Sequence, residues 1–176
     1  RLLPPMVATI AAIRRQMPDV QGVIGLAPTV SPGEAVSLTE VGVKIQVVED
    51  LTYEVMHHAD LLLVASGTAT LESACFGTPL FVLYKLARLS WWIGKRVVTI
   101  PNIGLVNVVA GRRIVPEFLQ HDVRPEILAP EAIAWLRDPE RLAQIRKDLQ
   151  EVRTKLGTPG ASQRVARLAM ELAGVR

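Results

Sequence analysis

Apolar positions in this chain cluster into short runs that alternate with segments of helical spacing. The runs hold few polar residues and are bounded by Gly, Pro or charged positions, which is typical of buried strands. They cover residues 20–27, 44–48, 61–65 and 79–84. Apolar positions three and four apart predict helices over residues 1–17, 34–41, 53–59 and 69–76. Because the strands lack an alternating polar face, they predict a parallel sheet covered by helices on both sides.

From about residue 117 onward the pattern predicts helices alone, over residues 130–136, 139–155 and 161–173. Pro130 and Pro139 stand at the openings of the first two. The predicted fold class is therefore α/β: a Rossmann-like open parallel sheet with helices on both faces and a helical C-terminal tail from about residue 125, all in one domain over residues 1–176. An open α/β domain normally begins with a strand and a phosphate-binding turn, so we expect both to precede Arg1.

Composition narrows the class of protein. Among 176 residues, 49% are hydrophobic and 21% are charged, which is the balance of a folded globular protein. The single cysteine, Cys75, excludes an internal disulfide framework and fits a reducing compartment. No uncharged apolar run reaches the roughly 18 residues that a transmembrane helix needs.

Charge is distributed unevenly along the chain. Residues 34–60 hold six acids and one base, Lys44. Residues 73–116 hold no acid and six bases, namely Lys85, Arg88, Lys95, Arg96, Arg112 and Arg113. Such a bias favours an anionic partner, which could be phosphate, nucleic acid or a membrane surface. A solvated basic face without a partner is the alternative, and charge alone does not choose between them.

A Ser66-Gly67-Thr68 turn lies where a predicted buried strand leads into a helix. The free N–H groups and the positive dipole end of such a helix favour an anion, and Gly67 allows close approach to the backbone. Ordinary N-capping by Ser66 or Thr68 is an equally good explanation from spacing alone. Glu72 lies four residues after Thr68, outside capping-box spacing. Because a carboxylate repels phosphate, Glu72 is better suited to accept hydrogen bonds from sugar hydroxyls, and we expect it to bind a ribose.

Two further groups of residues are candidates for ligand contact. The only asparagines, Asn102 and Asn107, lie shortly before Arg112, and they either cap a loop or face a polar ligand. Trp91 and Trp92 are followed by basic residues, a combination that suits a bilayer interface or an acyl chain. Packing in the core is an equally good explanation for one of the tryptophans.

Other chemistry has little support in the sequence. His57 and His58 have no Cys or acid at ligand spacing, so we expect no metal site. Cys75 lies on an apolar helix without a nearby His or Lys, which favours inert packing. A Walker lysine loop and a Gly-x-Ser-x-Gly motif are both missing, which leaves no case for an NTPase or a serine hydrolase.

Three stretches of the sequence resemble a known family. They are LLLVASGTATLESACFGTPLFVLYK, the WW-x₂-KR stretch and GLVNVVAGRRIVPEFLQ. Together with LLPPMVATIAAIRRQMPDVQ and LAPTVS near the start, they resemble the C-terminal half of lipid-A-disaccharide synthase over nearly the whole chain. The Ser-Gly-Thr turn alone also occurs in other two-domain UDP-sugar transferases, so the combination with Asn-x₂-Ala-Gly-Arg and Pro-Glu-x-Leu-Gln carries the resemblance.

The resemblance implies one half of a GT-B fold, in an inverting glycosyltransferase with two Rossmann-like domains. In that family the C-terminal domain binds the UDP part of UDP-2,3-diacylglucosamine. The sugar passes to 2,3-diacylglucosamine 1-phosphate, which gives lipid A disaccharide 1-phosphate and UDP. The implied location is the cytoplasmic face of the inner membrane, bound peripherally to its anionic surface. The implied partner is an N-terminal domain of the same protein, with no cofactor, no metal and no nucleic acid.

The resemblance also implies roles for particular residues. Ser66, Gly67 and Thr68 would contact the diphosphate, Glu72 the ribose, Asn107 with Arg112 the donor's phosphates or sugar, and Gln120 the donor. Trp91, Trp92, Lys95 and Arg96 would contact the membrane or acyl chains. The family's general base and its Gly-Ser-Arg phosphate turn would precede Arg1, so we expect no catalytic residue here, weak UDP binding and no sugar transfer by this chain alone. The alternatives are another UDP-sugar transferase or epimerase of the same fold, or a non-catalytic module that binds nucleotide or anionic membrane.

Overall fold

The computed structural model describes residues 1–26, 45–85 and 102–174. The helices are α1 (Leu3–Gln16), α2 (Thr52–His58), α3 (Ala69–Phe76), α4 (Leu105–Ala110), α5 (Pro125–Leu136), α6 (Pro139–Leu156) and α7 (Ala161–Leu172). The strands are β1 (Gly22–Leu26), β2 (Ile45–Glu49), β3 (Leu62–Ala65), β4 (Leu80–Tyr84) and β5 (Glu117–Leu119). The helix predicted over residues 34–41 lies outside the described residues.

The described strands pair in parallel, as the sequence pattern predicts. One sheet joins β1 to β2, and Gly22 pairs with Ile45. The other has the order β3-β4-β5, with β4 between its two neighbours. Helices cover the sheets on both sides, so the predicted α/β class is confirmed. No helix in the three described ranges is long and apolar enough to cross a membrane.

The core is built around β4. Residues 80–83 of this strand are fully buried. The ring of Phe81 lies 5.1 Å from Phe118 on β5 and meets Trp135 of α5 edge-on at 4.8 Å. These aromatic contacts fasten α5 to the β4–β5 pair, and α1 packs against α5 in turn. The helices α3 and α4 both pack against α6. The loops that follow β3, β4 and β5 are therefore attached to well-packed strands.

The structure corrects the sequence prediction in the segment after residue 102. Residues 105–110 form α4, where no helix or strand was predicted. Glu117–Leu119 form β5, where only helices were expected. A strand of three residues and a helix of six are too short to show a period. They form because β5 pairs with β4 and because Val106 is fully buried.

The predicted start of α5 is also wrong. The helix begins at Pro125, and Pro130 lies inside it. A proline in a helix leaves the carbonyl four residues earlier without its donor, here that of Glu126. Both residues are exposed, so water can satisfy that carbonyl. Burial of Leu128 and Ala129 in the first two turns offsets the cost of the irregularity.

Candidate functional site

Three neighbouring strands end at one edge of the sheet. The register pairs Ala65 with Leu83, and Tyr84 with Leu119. The residues that follow these strands are Ser66, Lys85 and Gln120, so their backbones lie side by side at the carboxyl edge. In open parallel sheets, ligands bind outside this edge. The edge of β3, β4 and β5 is therefore the candidate site.

The turn from β3 into α3 has an open backbone. The Ser66 N–H donates to the carbonyl of Leu83 at 2.8 Å and so extends the ladder by one residue. Gly67 follows with φ +155°, a conformation that L side chains rarely adopt. A Cβ on Gly67 would meet no atom within 4 Å. The glycine is required by the backbone conformation, and it leaves space for a ligand to approach.

The first N–H groups of α3 lie at this turn. The N–H groups of Thr70, Leu71 and Glu72 bond to carbonyls of the turn itself. Among the hydrogen bonds between described residues, none uses the N–H groups of Gly67 or Ala69, or that of Thr68 between them. No side-chain hydrogen bond caps α3. The capping explanation for Ser66 and Thr68 is therefore wrong, and no described residue occupies the N–H groups of Gly67, Thr68 and Ala69, which are of the kind that binds an anion.

Glu72 lies in the first turn of α3 and is half-buried. No ion pair or hydrogen bond joins its carboxylate to another described residue. A carboxylate near a helix N-terminus is stabilised by the helix dipole without any partner. Among the described residues, Glu72 is thus an acceptor without a partner, about one helical turn from the N–H groups at the start of α3, the place where a hydroxyl donor beside an anion would lie.

A second turn, Ile103–Gly104, stands beside Ser66. The Ser66 hydroxyl donates to the carbonyl of Ile103 at 3.4 Å. Glu117 holds this turn in place, because its carboxylate accepts from the N–H groups of Ile103 and Gly104, each at 2.9 Å. The N–H groups that precede α4 are therefore bonded to a carboxylate of the protein, whereas no described carboxylate bonds to the first N–H groups of α3.

Sequence reasoning missed Glu117 as a residue of the site. The motif Pro-Glu-x-Leu-Gln contains it, but the contacts that give it a role span 13 and 14 residues. One signal was available: residues 73–116 hold no acid, so Glu117 is the first carboxylate after a long basic stretch. The first acid after such a stretch has few competing acids nearby in sequence, and a carboxylate is a good acceptor for backbone N–H groups.

Asn107 is fully buried in α4, and its amide is saturated by the protein. Its Nδ2 donates to Glu117 Oε1 at 2.8 Å and to the carbonyl of Val115 at 2.9 Å. Its Oδ1 accepts from the N–H groups of Ile114 and Val115 at 2.9 and 3.1 Å. An amide has two donors and two lone pairs, so nothing remains for a ligand. This arrangement favours a positioning role for Asn107 over the direct contact with the donor that the motif led us to expect.

The structure does not bring Arg112 to the edge. Arg112 follows the C-terminal end of α4, and its exposed guanidinium bonds to Asp148 at 3.0 Å and Glu151 at 3.1 Å on α6. The hydrogen bonds that Arg112 donates to these two carboxylates raise its pKa, and the bond to Asp148 lowers the pKa of that carboxyl. The neighbouring Arg113 donates to the carbonyl of Glu117. Two bases of the basic stretch therefore have partners within the chain.

Lys85 and Gln120 are the other polar residues at the edge. Lys85 directly follows β4 and is exposed, and sequence reasoning counted it only as part of the basic stretch. Gln120 directly follows β5, is half-buried and has φ +49°, an uncommon left-handed conformation for a residue other than glycine. Strained backbone tends to occur where a side chain is aimed at a ligand.

Some expected contacts lie outside the described residues. Trp91, Trp92, Lys95 and Arg96 belong to the segment 86–101, so their predicted contact with membrane or acyl chains stays a prediction. Within the described ranges, no group of three or more His, Cys, Asp or Glu side chains is placed to hold a metal ion.

The sequence of this chain is similar to a known protein family and to several curated sequences. The sequence model of the family described as Lipid-A-disaccharide synthetase matches residues 1–172. A lipid-A-disaccharide synthase of Geobacter sulfurreducens is 37% identical over 175 residues, which are 99% of this chain and 46% of that protein. A synthase of Anaeromyxobacter dehalogenans is 43% identical over 169 residues, or 94% of this chain and 44% of that protein. The chain thus spans somewhat less than half the length of these relatives.

Proposed function

This chain belongs to the lipid-A-disaccharide synthetase family, and we propose that it supplies the UDP-sugar-binding half of a lipid A glycosyltransferase. The family resemblance drawn from the sequence motifs is confirmed by the match over residues 1–172. One structural observation supports the proposed site: in the described part of the chain, neither the N–H groups of residues 67–69 at the start of α3 nor the carboxylate of Glu72, one turn away, has a hydrogen-bond partner. N–H donors that bind an anion, next to a carboxylate that accepts from hydroxyls, suit a nucleoside diphosphate.

The diphosphate binds at the Ser66-Gly67-Thr68 turn in this proposal. The backbone N–H groups and the helix dipole hold its negative charge, and the two hydroxyls add donors. The bond from Ser66 to Ile103 is long at 3.4 Å, so a phosphate oxygen, which is a stronger acceptor, can replace it. Lys85 supplies a positive charge at the next strand end.

Glu72 binds the ribose in the same pose. Its carboxylate accepts hydrogen bonds from the ribose hydroxyls, while the phosphates stay nearer to the helix end. Gln120, at the end of β5, then lies on the side where the donor sugar would extend. Arg112 is assigned no donor contact, because its partners are Asp148 and Glu151.

The proposed reaction is inverting transfer of diacylglucosamine from UDP-2,3-diacylglucosamine to 2,3-diacylglucosamine 1-phosphate. As the bond between the sugar and the β-phosphate breaks, negative charge grows on the leaving UDP. Fixed N–H donors aimed at that charge stabilise the transition state without having to reorganise. The general base that activates the acceptor lies in the other half of the enzyme, so this chain binds donor without transferring sugar.

The remaining parts of the proposal concern location. An N-terminal acceptor-binding domain is the partner of this half, and the full enzyme binds peripherally to the anionic cytoplasmic face of the inner membrane. Trp91, Trp92, Lys95 and Arg96 contact lipid or the acyl chains of the substrate. The support is the pairing of indoles with bases in a stretch without acids.

Titration of the ¹⁵N-labelled chain with UDP, followed by NMR, tests the proposal. We expect shifts at Gly67, Thr68, Ala69 and Gln120 at up to millimolar UDP, and no shifts with uridine at the same turn. Incubation with radiolabelled UDP-diacylglucosamine and acceptor should give no disaccharide. Absence of any UDP contact at millimolar concentration would defeat the binding role, and turnover would defeat the assignment of the base to the other half.

A further inference from the structure

Three segments of the chain meet at the carboxylate of Glu117. Its Oε2 accepts from the Ile103 N–H, and its Oε1 accepts from both the Gly104 N–H and Asn107 Nδ2. The carboxylate thereby links β5 to the turn before α4 and to α4 itself. Hydrogen bonds to a charged acceptor are about twice as strong as neutral ones. The contacts make Glu117 the fixed point of the Ile103–Gly104 turn.

Resting on the proposed function, we propose that Glu117 is a positioning residue of the UDP site, which fixes the Ile103–Gly104 turn and through it the hydroxyl of Ser66. The link is direct in the backbone: Ile103 donates its N–H to Glu117 and accepts the Ser66 hydroxyl at its carbonyl. The Gly104 N–H, which Glu117 also binds, belongs to the same peptide unit as the Ile103 carbonyl. A shift of this peptide therefore moves the acceptor that holds the Ser66 hydroxyl in place in the free protein, until a phosphate oxygen replaces it.

The turn has no room to move toward the sheet. A Cβ on Gly104 would lie 3.0 Å from Val82 Cγ2 and 3.2 Å from Glu117 Oε1. Gly104 is thus held between the side chain of β4 and the carboxylate of Glu117. The absence of a side chain at Gly104 is what lets the carboxylate approach both N–H groups.

Glu117 also binds the backbone donors that lie next to the Ser66-Gly67-Thr68 turn. The carboxylate occupies the two N–H groups that directly precede α4, those of Ile103 and Gly104. At the N-terminus of α3, next to it across the Ser66–Ile103 contact, no described residue accepts from the N–H groups of Gly67, Thr68 and Ala69.

Glu117→Gln keeps the size of the side chain but replaces one acceptor oxygen by an NH₂ group. At least one of the N–H groups of Ile103 and Gly104 then loses its acceptor. We expect the dissociation constant for UDP to rise roughly tenfold, the order found when a bond to a charged acceptor is lost. Glu117→Asp keeps both oxygens on a shorter stem and should restore part of the affinity. The matched control is Glu131→Gln, which removes a carboxylate bonded to Trp135 and Arg141 away from the edge and should leave UDP affinity unchanged.

A double-mutant cycle with Ser66→Ala separates positioning from a general loss of structure. If Glu117 acts through Ser66, the effect of Glu117→Gln on UDP affinity should shrink to about twofold or less when Ser66 is already Ala. An equal effect in both backgrounds overturns the proposal, because Glu117 would then support only the fold. Circular dichroism melts of each variant identify any that fails to fold, and Glu117→Asp then takes its place in the cycle.

A ligand-free measurement keeps this proposal distinct from the proposed function. Amide hydrogen exchange by NMR should become faster at Ile103 and Gly104 in Glu117→Gln, and the Ser66 amide signal should shift, with no UDP present. If wild-type chain fails to bind UDP, the proposed function fails, and these signals alone judge the link. Unchanged exchange at both N–H groups, or an unmoved Ser66 signal, overturns it.

Discussion

Replacing Glu72 tests the ribose contact with little disturbance of the fold. The carboxylate has no hydrogen bond or ion pair to another described residue, so its removal breaks no polar contact among them. The loss to stability is then the dipole interaction at a helix N-terminus, about 0.3–1 kcal/mol. Loss of UDP affinity should be larger, because the ribose hydroxyls would be left without their acceptor in a half-buried place.

The magnitude follows from the kind of bond lost. Glu72→Ala should reduce UDP affinity by about 1–3 kcal/mol, which is roughly 5- to 150-fold in the dissociation constant. Glu72→Gln keeps an acceptor oxygen but loses the charge, so it should recover only part of that loss. A full recovery by Gln would mean that the bond gains nothing from charge.

Isothermal titration calorimetry with UDP and with its 2′-deoxy and 3′-deoxy analogues makes the test specific. Wild-type chain should bind more weakly to the analogue that lacks the hydroxyl from which Glu72 accepts. Glu72→Ala should bind that analogue and UDP with equal affinity. Glu126→Gln is the matched control, since Glu126 lies in the first turn of α5 as Glu72 does in α3. It should lower the melting temperature slightly and leave UDP affinity unchanged. If both Glu72 variants keep their UDP affinity but melt earlier, Glu72 is a helix-stabilising residue and the ribose role is wrong.

Three more outcomes are expected. Gly67→Ala should cost about 1–3 kcal/mol in urea unfolding and weaken UDP binding, because alanine is strained at φ +155°; unchanged stability would contradict the reason given for glycine. The lowered pKa of Asp148 means that its bond to Arg112 stabilises the fold above the ordinary pKa of 3.8 and stops doing so as pH falls through the lower folded-state value. The stability difference between wild type and Asp148→Asn should therefore vanish in acid, with UDP affinity the same in both at neutral pH; a difference independent of pH would refute the linkage. The Trp91→Ala, Trp92→Ala double variant should co-sediment less with phosphatidylglycerol vesicles than either single variant, and salt should weaken binding of wild type; wild type that stays in the supernatant at low salt, without a blue shift in Trp fluorescence, rules out the membrane contact.

Local sequence signals predicted the first half of the site well. The bounds of α3 were predicted from the Ser-Gly-Thr turn before it and from Gly77 after it, which ends the helix at φ +72°. The bounds of β3 and β4 differ from prediction by one residue at their starts. These elements could be predicted because the residues that specify them are neighbours in the chain.

The second half of the site depends on contacts that no local pattern contains. Asn107 bonds to residues seven to ten positions later, and Glu117 bonds to residues 13 and 14 positions earlier. Both sets depend on the pairing of β5 with β4. A strand of three residues is too short to be predicted from its sequence pattern. The clustering of asparagine and arginine in one motif suggested shared ligand contact, whereas Asn107 faces inward and Arg112 faces α6.

The two helix N-termini at this edge explain why the acid-free stretch ends at Glu117. Both α3 and α4 begin beside Ser66, and each would attract an anion. Two open positions so close together would let a diphosphate bind in more than one register. With a carboxylate of the protein bonded before α4, repulsion disfavours a second anion there, which favours α3 as the position of the proposed diphosphate. The same negative charge stands next to the site without competing for its donors, because Ile103, Gly104 and Asn107 already satisfy it. In the proposed site, an acid at residue 117 would therefore favour one binding register, in which the leaving phosphate would meet fixed donors.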